Sequence, residues 1–206
     1  AAETGDKELI TVGYAQVGAE SDWRTANTES FKSTFTEENG YKLIFDDAQQ
    51  KQENQIKAIR SFIQQDVDYI VVAPVVETGW ETVLEEAKEA GIPVILSDRM
   101  MQVSDDSLFE AWVGGNFVKE GETCGNWLAD YLKAQGREDE DINIVTIQGT
   151  IGASAQVGRT EGFANILKEH SNWKMLDMQT GEFTQAKGQE VMESFLKSYD
   201  DIDVVI

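Results

Sequence analysis

Short runs of apolar, often β-branched residues alternate along the chain with segments whose apolar positions recur at helical spacing. The run "DYIVVAPV" at 68–75 is typical of a strand that is buried on both faces. In the segment before it, Ile56, Ile59 and Ile63 lie on one stripe of a predicted helix. A later helix is expected to stop at Gly91, as helices often do at glycine. Alternation of this kind predicts parallel α/β units.

The alternation begins twice, which indicates two lobes. In the first lobe, strands are predicted at 9–15, 42–48, 68–75, 93–98 and 109–115, with helices at 24–38, 51–65 and 81–90. From Asn116 the cycle restarts, with helices at 116–135, 154–169 and 185–198 and strands at 143–149, 174–179 and 203–206. We therefore expect an α/β protein with two Rossmann-like parallel-sheet lobes, 1–114 and 115–206. Because the chain stops inside its last predicted strand, we expect the second lobe to be truncated at its C-terminus.

The charge of the chain narrows the range of partners. Seventeen Lys and Arg stand against 38 Asp and Glu, which gives 206 residues a formal charge of -21. Binding to DNA or RNA depends on Lys and Arg along the phosphates, so nucleic acid is excluded as a partner. Acidic lipid surfaces repel the chain for the same reason. With 41% apolar residues the chain can still fill a core, so the acidic excess is interpreted as a solvated exterior.

Residues for catalysis or metal binding are scarce. Cys124 is the single cysteine and His170 the single histidine, so the sequence offers neither an internal disulfide nor a Cys/His zinc cluster. No phosphate-binding loop of the P-loop or dinucleotide type is present. No set of residues supplies a nucleophile, a base and a group to orient the base. We predict a non-enzymatic protein without cofactor, metal or catalytic residues.

The chain shows no membrane-spanning segment. Its longest unbroken apolar run, Tyr69 to Val76, is far shorter than the roughly 20 residues that a membrane helix needs. The start "AAETGDKELI" lacks the basic segment and apolar stretch of an export signal, so such a signal has been removed or never existed.

The candidate chemistry lies in the loops that follow the predicted strands. In open parallel sheets, ligands bind outside the carboxyl ends of the strands, where these loops converge. An aromatic ring covers the apolar side of a sugar, while Arg and Asp satisfy neighbouring hydroxyls. Each residue taken alone has a plainer explanation, since Trp23 could pack in the core and Asp98 with Arg99 could be an exposed strand end. Their joint occurrence favours a small polyhydroxylated ligand, and the candidates are Trp23, Arg24, Asp98, Arg99, Arg159 and Phe183.

Five stretches together resemble a known family. They are "QVGAESDWR", "DAQQKQENQIKAIRSF", "APVVETGWETVLEEAKEAGIPVILSDR", "IQGTIGASAQVGRTEGF" and "GEFTQAKGQEVMESF". In this order they are similar to the periplasmic sugar-binding proteins of ABC importers, in the ribose and galactose group, and most of all to its galactofuranose-binding members. The resemblance implies type I lobes joined by a hinge and closing on one sugar molecule.

The resemblance also implies roles for individual residues. Trp23 and Arg24 match the sugar contacts of the first loop, and Asp98 and Arg99 match the acid–arginine pair after the fourth strand. The other matches are an arginine and an aromatic wall of the second lobe, and a further candidate in the first loop, namely Arg159, Phe183 and Glu20. The resemblance places an additional Asn and Asp beyond Ile206.

Three departures from the family pattern leave the identity of the sugar open. Gly115 stands where the family usually has Asp, and Gln185 replaces a basic residue of the galactofuranose-binding members. The step "VGR" replaces an acid–arginine step before Arg159.

The sequence thus predicts a monomeric, extracytoplasmic receptor that delivers a monosaccharide, such as galactofuranose or a related hexose or pentose, to an ABC permease. A periplasmic or extracellular location is expected, with lipid anchoring left open. One alternative is the sugar-effector domain of a LacI-type transcription regulator, although no helix-turn-helix headpiece precedes "LITVGYA". A sugar-processing α/β enzyme is a third possibility, which a turnover assay separates from a receptor.

Overall fold

The computed structural model describes residues 8–206, so the prediction about an export signal, which concerns the start of the chain, falls largely outside the described residues. The chain forms two compact units that divide between Gly114 and Gly115. That the units are separate lobes of one receptor stays a prediction.

The first unit is a five-stranded parallel sheet in the order β2-β1-β3-β4-β5. Its elements are β1 (Ile10–Gln16), α1 (Asp22–Thr34), β2 (Tyr41–Asp47), α2 (Gln52–Gln64), β3 (Tyr69–Val72), α3 (Glu81–Glu89), β4 (Val94–Ser97) and β5 (Ala111–Val113). The strand order reverses at β1, so the loops after β1 and β3 leave from neighbouring strands at the carboxyl edge. The predicted α/β class with parallel sheets is confirmed.

The apolar residues of the first sheet face helices on both sides. Ile70 and Val72 of β3 pack with the buried residues of α2 and α3, among them Phe62 and Leu84. Val71, between them in sequence, packs on the opposite face in a cluster that the aromatic residues of α1 border. A strand covered on both faces explains why its sequence is an unbroken apolar run.

The second unit contains a three-stranded parallel sheet in the order β7-β6-β8. Its elements are α4 (Phe117–Ala134), β6 (Ile142–Gln148), α5 (Ser154–Leu167), β7 (Trp173–Thr180), α6 (Gln185–Ser198) and β8 (Val204–Val205). Residues of α4 and α5 cover one face of β6 around Ile144, and residues of α6 cover the other face around Val145. The two helices α4 and α5 approach so closely at Gly121 that a Cβ built there would overlap the Arg159 carbonyl.

Several predicted boundaries were wrong, among them the end of the third strand, which lies at Val72 and not at residue 75. The helix predicted over 24–38 ends at Thr34, and a separate 3-10 turn follows at Glu37–Asn39 and stops at Gly40, whose φ is 88°. The polar sequence of this segment carries no period that marks the break. The strand predicted over 109–115 is reduced to Ala111–Val113 because only these residues pair with β4.

In each unit, a turn with two successive positive φ angles precedes a helix. Gln49 and Gln50 both adopt positive φ, 52° and 60°, directly before the residue that caps α2. Glu182 and Phe183 do the same, with φ of 54° and 58°, directly before the residue that caps α6. Left-handed backbone is uncommon for residues with a side chain and is concentrated at functional sites. Both turns follow an edge strand at the carboxyl edge of its sheet.

Among residues 8–206, no helix combines the length and the apolar character that crossing a membrane demands.

Candidate functional site

The first turn of α1 places Trp23 and Arg24 at the carboxyl end of β1. Ser21 caps the helix, and its Oγ accepts a hydrogen bond of 3.2 Å from the Arg24 backbone N–H. Trp23 is 58% exposed, whereas Arg24 is 1% exposed. The Arg24 guanidinium carbon lies 4.8 Å from the centre of the Trp23 ring, within cation–π distance. The helix start therefore presents an aromatic surface with a buried cation beside it.

Four charged side chains meet at this point, and we call Glu20, Arg24, Asp98 and Arg99 the first-unit cluster. Arg24 Nη2 donates to Asp98 Oδ2 at 2.6 Å, and Arg24 Nε donates to Glu20 Oε1 at 3.3 Å. Arg99 Nη2 donates to the same Glu20 oxygen. Glu20 and both arginines are buried, while the Asp98 side chain is 18% exposed. Two acids and two arginines hold each other in fixed positions by charge-assisted hydrogen bonds.

Polar side chains of β1 and α1 form a hydrogen-bond network with Arg24. Asn27 Oδ1 accepts hydrogen bonds from Arg24 Nη1 at 3.3 Å, from the Tyr14 hydroxyl at 2.9 Å and from Gln16 Nε2 at 2.9 Å. Burial raises the pKa of Tyr14 well above its ordinary value, so the phenol stays protonated and remains a donor. With three donors directed at it, the Asn27 carbonyl oxygen fixes one edge of the guanidinium.

Gln55 links the strand ends next to Arg99. Its side chain is fully buried and donates to the carbonyl oxygens of Ala15 at 3.1 Å and Ala73 at 2.6 Å. Its Oε1 accepts from the Val75 N–H at 2.9 Å. The Val75 carbonyl oxygen in turn lies 3.5 Å from Arg99 Nη1. A side chain of α2 thus completes the hydrogen bonds of backbone groups where β1 and β3 end.

Asp98 has a left-handed backbone, with φ of 62°. Its N–H donates to the Val113 carbonyl at 2.7 Å, and its own carbonyl accepts from Trp112 Nε1 at 3.1 Å. These contacts with β5 hold the strained residue in place. The chain consequently turns sharply after β4, and Asp98 and the neighbouring Arg99 both join the first-unit cluster.

The second unit presents its arginine differently. Arg159 Nε donates to Glu120 Oε2 at 2.8 Å, and both side chains are almost half exposed. The Arg159 guanidinium carbon lies 5.2 Å from the centre of the Phe117 ring. Glu120 and Phe117 belong to α4, so the close approach of α4 and α5 sets this contact.

Arg159 and Phe183 line one cavity of about 360 Å³ in the second unit. Phe183 follows β7 in the left-handed turn before α6, and its ring lies against Gly149, where any Cβ would overlap it. Other lining residues include Gln148, Gln156, Phe163 and Met175. The lining thus combines an aromatic ring, a guanidinium and two amides with apolar side chains.

The seven sequence-predicted residues therefore fall into two groups. Glu20, Arg24, Asp98 and Arg99 meet in the first unit with Trp23 beside them, and Arg159 and Phe183 line the cavity of the second unit. As ligand contacts, all seven stay predictions. The supporting residues missed by sequence reasoning are Tyr14, Gln16, Asn27, Gln55 and Glu120.

One signal could have found Asn27. It follows Arg24 by three residues and so lies on the same side of α1. Gln55 gave no comparable signal, because polar residues are common on helices that follow strands. Within residues 8–206, no group of three or more His, Cys, Asp or Glu side chains is arranged to hold a metal ion.

Comparison with known families places this fold and these loops in a class. The family model described as "Periplasmic binding protein domain" matches residues 12–206. The chain belongs to this family, which confirms the resemblance seen in its loops.

Individual relatives within this family are sugar-binding proteins. The chain is 49% identical over 189 residues to the galactofuranose-binding protein YtfQ of Escherichia coli K12, a match that covers 92% of the chain and 58% of the relative. A Mycobacterium smegmatis structure in complex with β-D-fucofuranose has a TM-score of 0.90 and 50% identity, over 96% of this chain and 64% of that one. The arabinose-transporter binding protein of Shewanella sp. ANA-3, bound to α- and β-L-arabinofuranose, has a TM-score of 0.85 and 52% identity. This match covers 92% of the present chain and 61% of that protein.

The chain spans about three fifths of the length of these relatives. Its architecture is that of the type I periplasmic binding proteins, as predicted.

Proposed function

We propose that this chain belongs to an extracytoplasmic receptor that binds a monosaccharide and delivers it to an ABC permease. Galactofuranose or a related hexose or pentose is the expected ligand, because similar proteins are named for galactofuranose or were solved with β-D-fucofuranose and L-arabinofuranose. The receptor acts as a monomer in the periplasm or outside the cell and returns its ligand unchanged.

The observation that carries the proposal is the first-unit cluster beside Trp23. A sugar ring has an apolar C–H face that an exposed indole can cover, and its hydroxyls accept from guanidinium and donate to carboxylate groups. Trp23 and Asp98 offer the exposed surfaces for these contacts. The buried Arg24 holds Asp98 in position before any ligand arrives, which reduces the ordering cost of binding.

The second unit supplies groups of the same chemistry. Arg159 is a half-exposed donor, and Phe183 provides an aromatic ring in the lining of the same cavity. We propose that Arg159 and Phe183 are sugar contacts of the second unit.

The first experiment is calorimetry on the full-length protein with a broad panel of monosaccharides and small oligosaccharides. We expect galactofuranose, galactose, arabinose or a similar sugar to bind and to raise the melting temperature. If no sugar of the panel binds, the receptor assignment is wrong.

A pair of variants then tests the site. We expect Arg99→Ala to lower affinity for the selected sugar more than tenfold, because it removes a donor to Glu20 and to the Val75 carbonyl and so releases the cluster. The matched control is Arg60→Ala in the same unit, whose partner Glu86 is also an acid but on the surface. Affinity should be unchanged in the control, and unchanged affinity in Arg99→Ala would remove Arg99 from the site.

A further inference from the structure

The four charges of the first-unit cluster sum to zero. Glu20 and Asp98 contribute two negative charges, and Arg24 and Arg99 contribute two positive charges. Three of the four residues are less than 9% exposed, so water screens this balance weakly. The overall charge of -21 is therefore not repeated at the candidate site.

Glu20 is the residue that joins the two arginines of the cluster. One carboxylate oxygen, Oε1, accepts hydrogen bonds from both Arg24 and Arg99. The second oxygen, Oε2, is enclosed and has no hydrogen-bond partner among the described residues. Because protein atoms enclose the carboxylate, Glu20 is placed to act through the two arginines and not by touching a ligand.

Removing the charge of Glu20 would leave the cluster with a net charge of +1. At an effective dielectric constant of about 20, a unit charge some 6 Å away changes the binding of a charged ligand by a factor of about ten or more. The affinity for a neutral sugar would change much less than the affinity for a sugar acid. The charge of Glu20 therefore bears on which ligands the site accepts.

We propose that Glu20 is a positioning residue that sets the site's preference for neutral sugars over sugar acids. This inference rests on the proposed function and deepens it, since it assigns the ligand class to one buried carboxylate. It differs from the direct ligand contact that the sequence suggested for Glu20.

The test measures affinities of the full-length protein for sugars of one stereochemical series at neutral pH. L-arabinose, D-fucose and D-galactose are the neutral probes, and D-galacturonate, which carries a carboxylate at carbon 6, is the anionic probe. The readout is the dissociation constant for galacturonate divided by that for the best neutral sugar. We expect Glu20→Gln to lower this ratio at least tenfold, because the cluster becomes positive while a hydrogen-bond acceptor remains.

Two controls separate charge from structure. Glu20→Asp keeps the charge on a shorter side chain, so affinity for both classes should fall while the ratio stays within about threefold. Glu86→Gln removes an acid from the exposed pair with Arg60 and should leave the ratio unchanged. If Glu20→Gln does not fold, Glu20→Asp still tests the inference, since a drop of the ratio with the charge retained would overturn it.

The outcomes distinguish this inference from the proposed function. A wild-type protein that binds none of the neutral probes, nor any other sugar of the broad panel, refutes the receptor assignment itself. Binding of a neutral sugar with an unchanged ratio in Glu20→Gln overturns the role of Glu20. An equal drop of the ratio in Glu20→Asp also overturns it, since the charge would then not be the cause.

Discussion

The first-unit cluster and the ion pair between Arg159 and Glu120 show two ways of presenting a guanidinium group on the same α/β architecture. Arg24 and Arg99 are almost fully buried and share one carboxylate. Arg159 is half exposed, and its carboxylate partner is equally exposed. The first arrangement fixes its donors before a ligand arrives, and the second leaves its donor able to adjust.

Because of this difference, we expect substitutions of the two kinds of arginine to have different effects on stability. A buried charge that loses its partner is costly, because the low-dielectric surroundings offer no replacement. An exposed pair is replaced by water at little cost. Substitutions in the first-unit cluster should therefore affect folding and binding together, whereas substitutions of Arg159 should affect binding alone.

The largest effect is expected for Arg24→Met. This change keeps the apolar volume but leaves Glu20 and Asp98 with too few positive partners, so the free energy of unfolding should fall by about 3–5 kcal/mol. Urea unfolding followed by tryptophan fluorescence measures the loss. A loss below about 1 kcal/mol, typical of surface pairs, would show that the cluster is solvated and would remove the contrast between the units.

Gln55→Leu should have the next largest effect. It removes the side-chain partners of the Ala15 and Ala73 carbonyls and of the Val75 N–H. The Ala15 carbonyl keeps the Ala73 N–H as a partner at 3.2 Å, whereas a buried group left unpaired costs about 1–3 kcal/mol. We expect a total loss of about 3 kcal/mol, since some of these groups will find other partners. The control is Gln52→Leu, three residues earlier on α2, whose exposed bond to the Thr78 carbonyl should be worth about 1 kcal/mol or less. Equal losses in the two variants would contradict the structural role of Gln55.

Gly149→Ala tests the aromatic wall of the second unit. The new methyl group would overlap the Phe183 ring, so the ring must move, at a cost of about 1–3 kcal/mol. Affinity for the selected sugar should fall about tenfold if Phe183 covers the ligand. Gly188→Ala on α6 is the control, because it adds a methyl group to the lining of the same cavity at an ordinary 3.9 Å contact with Ile147 and does not overlap Phe183. Calorimetry that finds no difference between the two variants would argue against Phe183 as a ligand contact.

The smallest effect on stability is expected for Arg159→Met. The free energy of unfolding should change by about 0–1 kcal/mol, because the pair with Glu120 is exposed. Affinity for the sugar should nevertheless fall more than tenfold, since a ligand hydroxyl loses its donor. The same unfolding and binding measurements used for Arg24→Met make the comparison direct. A large loss of stability here would mean that the two units do not differ in the way described.

Much of the fold could be predicted because hydrophobic periodicity is local. The apolar run of β3 and the stripe of Ile56, Ile59 and Ile63 each identify one element without knowledge of the others. The end of α1 could not be predicted, because polar residues continue past Thr34 and only backbone hydrogen bonds mark the break.

The candidate site was predictable only in part. The rule that ligands bind at strand carboxyl ends selected the loops that contain Arg24 and Arg99. It did not show that both arginines would be buried and bonded to Glu20, since Glu20 and Arg99 are 79 residues apart in sequence. Pairing between distant charged residues depends on the three-dimensional arrangement of strand ends, which periodicity does not specify.

The two left-handed turns before α2 and α6 have a practical consequence for redesign. Gln50 and Phe183 occupy the same place in their turns, each one residue before a helix cap. Because the backbone already tolerates a glutamine at one position and a phenylalanine at the other, each half of the chain provides a graft donor for the other. Exchanging the residue pairs at these turns would change the side chains they present, while each position keeps a residue that already adopts positive φ in this chain.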